Sequence, residues 1–188
     1  WDGVKTVNRA VNILWNVYRF PLPYMILDGY RPPDNPQGRF DLCRILEDLP
    51  SMPPEDRWIL SRVSTLAAGV EGAMEVCELH RATRALLEFI LEDLSRWYVQ
   101  LVRPRMWLEG DSPEKRQAYD TIYLAMRRLV QLLSPFAPHL AEEIYRNLRL
   151  PAEPESVHML DWPGPEPALA DPDLEKGMAA VRSFDDAV

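Results

Sequence analysis

Three arginines and two tryptophans fall between Arg96 and Trp107. A guanidinium is a planar fork of donors that meets a phosphate bidentately. An indole or guanidinium plane stacks on an unpaired base. Around them Leu87, Ile90, Leu94, Trp97 and Leu101 recur at spacings of 3, 4, 3 and 4, the stripe of a helix facing a core. That stripe assigns Trp97 to the interior. Arg96 and Arg103 stand two turns apart on another side, with Arg105 and Trp107 just beyond. Two readings stay open for these arginines: an anion-binding surface, or surface ion pairs with neighbouring acids.

Other chemistry is scarce. Cys77 and His80 lie three apart, as two metal ligands on a helix could, but Cys43, His139 and His158 are far away in sequence, and a zinc site needs three or four ligands. A core cysteine beside an exposed histidine is the reading adopted. Glu92-Asp93 and Glu142-Glu143 are adjacent carboxylates, which diverge by about 100° on a helix and do not converge as an acid/base pair; they read as solvated face or caps. There is no Gly-rich phosphate loop, no strand-turn-nucleophile pattern and no Cys-x-x-Cys pair.

Charge narrows the partners. The chain of 188 residues carries a formal charge of −8, which argues against a freestanding nucleic-acid binder. The charge is uneven. Residues 1–20 hold Lys5, Arg9 and Arg19 against Asp2, and residues 81–107 hold five arginines against Glu88, Glu92 and Asp93, so each stretch comes to +2. The flanking stretches are acidic. Any RNA should therefore meet these two elements. The hydrophobic share of 47% supports a real core, no apolar run approaches the ~20 residues that cross a bilayer, and two cysteines make no disulfide framework. Reduced thiols point to the cytoplasm. The chain opens on Trp1 without the pattern of a signal peptide, as expected of a piece of something longer.

The elements that must position these residues read as helices parted by prolines. A first helix runs from about Gly3 to Tyr18, with Val4, Val7, Val11, Leu14 and Tyr18 inward and Lys5, Arg9, Asn12, Asn16 and Arg19 on another face, until Pro21 and Pro23 break it. Residues 28–54 read as a long loop with a short helix near Leu42–Leu46. A second long helix starts near Glu55, its stripe being Ile59, Val63, Leu66, Val70, Ala73 and Cys77. A third runs from His80–Thr83 to Trp107, kinked or ended by Pro104. Asp111-Ser112-Pro113-Glu114 starts a fourth, with a capping side chain and then proline; Ala118, Ile122, Ala125, Leu129 and Leu132 line it. Leu140, Ile144 and Leu148 mark a fifth. Residues 150–172 hold six prolines, with Val157-His-Met-Leu160 as a short strand or extended segment. Asp173 to Ala187 reads as a helix of a following unit. The fold expected is an all-α bundle of four or five antiparallel helices over 1–150, with a proline-rich tail over 151–188.

Four ordered motifs carry a family resemblance: Asp56-Arg-Trp-Ile-Leu-Ser-Arg62, Glu92-Asp-Leu-Ser-Arg-Trp-Tyr98, Leu133-Ser-Pro-Phe-Ala-Pro-His-Leu-Ala-Glu-Glu-Ile-Tyr145 and Ser156-Val-His-Met-Leu-Asp-Trp-Pro163. Together with Leu14-Trp-Asn-Val-Tyr-Arg-Phe20 and Leu27-Asp-Gly29 they span nearly the whole chain. The pattern resembles the helical anticodon-binding domain of class I aminoacyl-tRNA synthetases, and within that group the isoleucyl-tRNA synthetases most. It departs at Pro21-Leu-Pro23, where the resemblance implies aromatic or small residues. The family's two ATP-site signatures and the zinc module of some members do not occur in the sequence.

The resemblance implies a parent ligase that joins isoleucine to its tRNA with ATP and Mg²⁺, in a catalytic domain elsewhere in the polypeptide. This segment would grip the anticodon stem-loop and catalyse nothing itself. Lys5, Arg9, Arg19, Arg96, Arg103, Arg105 and Trp107 are the expected RNA-facing residues, chosen from charge and placement. No metal, cofactor or membrane contact is expected of the segment. Two alternatives remain: a helical protein-interaction module, and the equivalent domain of a valyl-tRNA synthetase.

Overall fold

The computed structural model describes residues 2–110 and 112–185; Trp1, Asp111 of the expected fourth-helix start, and 186–188 at the end of the expected last helix lie outside it. The described residues are all-α, with one isolated bridge, Asp34 to Phe40, and more helical segments than the four or five expected.

α1 (Asp2–Arg19) stops before Pro21, but α2 (Leu22–Leu27) follows at once, because proline is tolerated in a first turn whose N–H groups have no partner. Gly29, at φ 60°, then turns the chain into the loop that leads to α3 (Leu42–Asp48). The Asp41 carboxylate caps α3 by accepting the Cys43 N–H at 3.1 Å.

α4 (Pro54–Glu75) has proline first and Glu55 and Asp56 in its opening turn, as the macrodipole favours. Ile59, Val63, Leu66, Val70 and Ala73 are buried as the spacing requires. Cys77 is not. The helix closes in a Schellman turn, the Glu78 N–H reaching the Ala73 carbonyl at 2.8 Å and the Cys77 N–H the Met74 carbonyl at 3.0 Å. Cys77 takes the left-handed position of that turn, φ 59°, and is exposed. The core-cysteine expectation fails because the helix ends two residues before it.

The third rod departs from the expected period. α5 (Leu79–Glu88) passes into a wider π-helix (Phe89–Tyr98) and then α6 (Val99–Trp107). The π geometry shows in the Val99 N–H, which reaches five residues back to the Leu94 carbonyl. Leu86, Ile90, Leu94, Tyr98, Val102 and Met106 form a buried row four apart throughout, with Ala82, Phe89, Asp93 and Val99 buried beside it. Leu87 and Trp97 are only partly buried, and Leu101 is 41% exposed. A 3.6-residue count drifts off the inner face because part of the rod has more residues per turn. Pro104 sits inside α6, and the helix ends three residues later, at Trp107.

α7 (Pro113–Leu133) is capped by Ser112, whose Oγ accepts the Lys115 N–H at 3.2 Å. It is the central helix. Ala118, Ile122, Ala125, Leu129 and Leu132 are buried, and so are Tyr119, Tyr123, Met126 and Val130 on its other sides, since α4, α6 and α8 (Pro138–Leu148) all pack on it.

The tail packs back on this body. Val157–Met159 forms a 3₁₀ turn where a short strand or extended segment was expected, and Glu142, expected on a solvated face or as a cap, accepts Ser156 Oγ at 2.9 Å and the Val157 N–H at 3.0 Å at the head of that turn. Glu153, nearly buried, meets Arg127 of α7 at 2.7 and 2.8 Å and accepts the N–H groups of Phe40 and Leu150. α9 (Pro172–Asp185) lies on α4. Asp93, expected on a solvated face, is buried there between Arg62 of α4 and Arg182 of α9, with Glu175 as the second partner of Arg62. The described part of the expected following unit thus belongs to the bundle. No helix among the described residues is long and apolar enough to cross a membrane.

Candidate nucleic-acid interface

The two positive elements lie against each other. α1 packs along the π-helix, and a shallow groove beside them is lined by Ile13, Asn16, Phe20, Ser95, Gln100 and Arg103. Lys5, Arg9, Asn12, Asn16 and Arg19, spaced 4, 3, 4 and 3, are all exposed and form one polar stripe on α1. At 1.5 Å per residue it extends for about 21 Å.

The groove's far end gathers the aromatic chemistry. The Arg103 guanidinium lies 5.3 Å from the centre of the Phe20 ring and 5.8 Å from that of Trp107. Such stacking holds the guanidinium plane without consuming all its donors. Trp107 is 57% exposed as the last residue of α6, its ring lying beside the Arg103 guanidinium. Arg19 precedes Phe20, so the ends of α1 and α6 together present two arginines and two aromatic rings. Phe20 was not among the expected residues; its type alone says only that it is apolar.

The other arginines behave differently. Arg96 is exposed and pairs with Glu92 one turn back at 3.2 Å, a contact worth well under 1 kcal/mol in water. Arg105 departs from the expected surface. Two residues from Arg103, it points to the opposite side of α6 and grips Asp56 of α4 with both terminal nitrogens, at 2.6 and 2.9 Å. Asp56 is fully buried and also accepts the Tyr98 hydroxyl at 2.8 Å. Burial pulls the Arg105 guanidinium down, but the hydrogen bonds and charge of Asp56 outweigh it and hold the group above its usual range. It remains cationic and turned inward. Trp97 lies at the core's margin, with the Arg182 guanidinium 5.4 Å from its ring centre.

Among the described residues no three His, Cys, Asp or Glu side chains gather as a metal site, and His80 and Cys77 are both exposed. The arrangement places the Arg103 guanidinium and the rings of Phe20 and Trp107 together at the end of the groove.

Comparison with known proteins decides the family. The model of the anticodon-binding domain of tRNA ligases matches residues 56–188. The chain belongs to that family. The anticodon-binding domain is also similar, over its whole length, to isoleucine–tRNA ligases of Methanoculleus marisnigri (64% identical), Methanoregula boonei (60%) and Methanospirillum hungatei (58%). It spans 17–18% of the length of those relatives. The family model starts at Asp56, so the match takes in α4, the third rod, α7, α8 and the tail, while α1 rests on the full-length relatives.

Proposed function

We propose that this anticodon-binding domain docks the anticodon stem-loop of an isoleucine tRNA. The parent enzyme would be an isoleucine–tRNA ligase of the cytoplasm, using ATP and Mg²⁺ in a catalytic domain outside this chain. The observation that carries the reading is the Phe20–Arg103–Trp107 stack, joining two positively charged stretches of a chain of net charge −8. Lys5, Arg9, Arg19 and Arg103 would meet backbone phosphates and set the register, with Arg96 at the margin. Trp107 would stack on an unpaired loop base. Arg105 holds α6 on α4 so that this surface keeps its shape. The domain's part in aminoacylation is placement of the tRNA, so that the acceptor end reaches a distant active site.

The identities of 58–64% with enzymes named for isoleucine favour that amino acid over valine, and Arg103 in the groove, beside the exposed Lys5, Arg9 and Arg19 of α1, favours RNA over a helical protein partner. The test uses the full-length enzyme. Trp107→Ala should weaken tRNA binding by about 1–3 kcal/mol with little change in its salt dependence. Arg103→Ala should lower the salt slope by about one unit. Isoleucine-dependent ATP–pyrophosphate exchange should stay at the wild-type rate in both. Wild-type tRNA affinity and slope in both variants would remove RNA from this face.

A further inference from the structure

We propose a second RNA-backbone site in the cleft between α3, the loop at Tyr30–Pro33 and the first turns of α7, where Arg31, Arg44 and Arg116 would take phosphates of the strand that leaves Trp107. This rests on the reading of the domain as a tRNA binder, and names a contact beyond the groove of α1 and α6.

The cleft has a volume of about 420 Å³, in the range of nucleotide-sized sites. Three arginines line it against two carboxylates, Asp48 and Asp120, a local excess of cation in an acidic chain. Asp120 is already engaged, accepting the Tyr30 hydroxyl at 2.6 Å. Arg31 and Arg44 are exposed and make no ion pair with any described residue. That sets them apart from Arg57, Arg62, Arg105, Arg127 and Arg182, each of which has found a carboxylate. Two unpaired guanidinium groups facing one cleft repel each other, and an anion between them relieves the repulsion. The N-terminus of α7, a 21-residue helix, opens on the same cleft through Pro113, Arg116 and Gln117 and adds its positive end.

The rim is rigid. Gln117 Nε2 donates to Ser51 Oγ at 3.0 Å, and Ser51 donates to the Asp48 carbonyl at 2.8 Å, so the end of α3 is tied to α7. Gln117 and Asp48 also leave polar groups where ribose hydroxyls or base edges would lie beside a bound phosphate.

Placement links the cleft to the stack. Trp107 ends α6 and Ser112 caps α7, five residues on, so their Cα atoms are at most about 18 Å apart. Lys115 fixes that connection by bonding the Leu108 carbonyl at 2.9 Å and Asp28 at 2.6 Å. A strand with one base on Trp107 therefore reaches the cleft within a few nucleotides.

The experiment measures tRNA affinity against salt for the full-length enzyme carrying Arg31→Glu, Arg44→Glu, Arg146→Glu or Arg103→Ala. Arg146 is an exposed arginine of α8 outside the cleft and serves as the charge control. Arg31→Glu and Arg44→Glu should each weaken binding about tenfold at low salt and lower the slope by about one unit, with Arg146→Glu at wild type. Thermal melts should be unchanged, since both side chains are exposed; Arg44→Gln, which removes charge without reversing it, should show the same direction. If Arg103→Ala weakens binding while both cleft variants match wild type, the cleft proposal fails and the groove reading stands. If the cleft variants act and Arg103→Ala does not, the groove reading fails and the cleft stands. Equal losses in Arg146→Glu would mean general charge repulsion and overturn the cleft. So would saturation of the cleft by millimolar inorganic phosphate with tRNA affinity unaffected.

Discussion

Arg103 and Arg105 stand two residues apart on one helix, and their surroundings have almost nothing in common. Arg105 is 14% exposed at its side chain and meets a carboxylate that no water reaches. Arg103 lies between two rings at the edge of a groove and meets no carboxylate. Helix geometry makes the division: successive side chains on a helix diverge by about 100°, so neighbours two apart face nearly opposite ways. One side of α6 therefore serves the bundle and the other is free for a ligand. The same contrast runs through the molecule, with Arg62, Arg127 and Arg182 on the inner side of it and Arg31, Arg44 and Arg19 on the outer.

The comparison breaks if the inner arginine proves dispensable. Arg105→Ala should cost about 3–5 kcal/mol in denaturant or thermal unfolding, because it leaves Asp56 buried without its cation. Arg103→Ala should cost under about 2 kcal/mol in the same assay, the loss of its contacts with the rings of Phe20 and Trp107. Equal losses would mean that Arg103 is as structural as its neighbour. A second pair sharpens the division along the same rod. Leu94→Ala should cost about 2–5 kcal/mol, since it empties a space in the core. Leu101→Ala should stay within about 0.5 kcal/mol, because Leu101 faces solvent. If Leu101→Ala unfolded the domain, the π-helical register would be wrong. The smallest expected effect concerns Cys77. Replacing it by glycine should raise stability by about 0.5–1 kcal/mol, since glycine adopts the left-handed position without the Cβ penalty and no packing is lost. A lower melting temperature for Cys77→Gly would argue against that turn.

Much of the bundle could be read from residue order. The stripe of α7 is buried at all five positions, because an all-α segment with ordinary 3.6 periodicity obeys the count, and Ser112-Pro113 starts that helix because cap and proline chemistry are local. The third rod could not be read so, since nothing in Phe89–Tyr98 announces a wider turn, and the count slipped from Leu86 to Leu87 and from Tyr98 to Trp97. Cys77 was misplaced by a helix end that no glycine marked. For the candidate interface, local charge pointed to residues 1–20 and 81–107. It could not separate Arg105 from Arg103, because what separates them is Asp56, 49 residues away in sequence. Asp93 was missed in the same way, its partners lying on α4 and α9.

The π-helical stretch also works as a phase shifter. It lets α5 and α6 continue as one rod while rotating everything after Tyr98 relative to everything before Phe89. Winding the same ten residues of 89–98 at the ordinary 3.6 per turn, in place of the four per turn of the buried row, would turn α6 by about 100° against α5. Arg105 would swing off Asp56, and Arg103 would leave the ring of Phe20. The direction in which this rod offers its cations is thus encoded in how ten residues wind as well as in their chemistry: losing the wide turn alone would rotate a whole face, while losing the wide turn together with one residue would leave that face nearly in place.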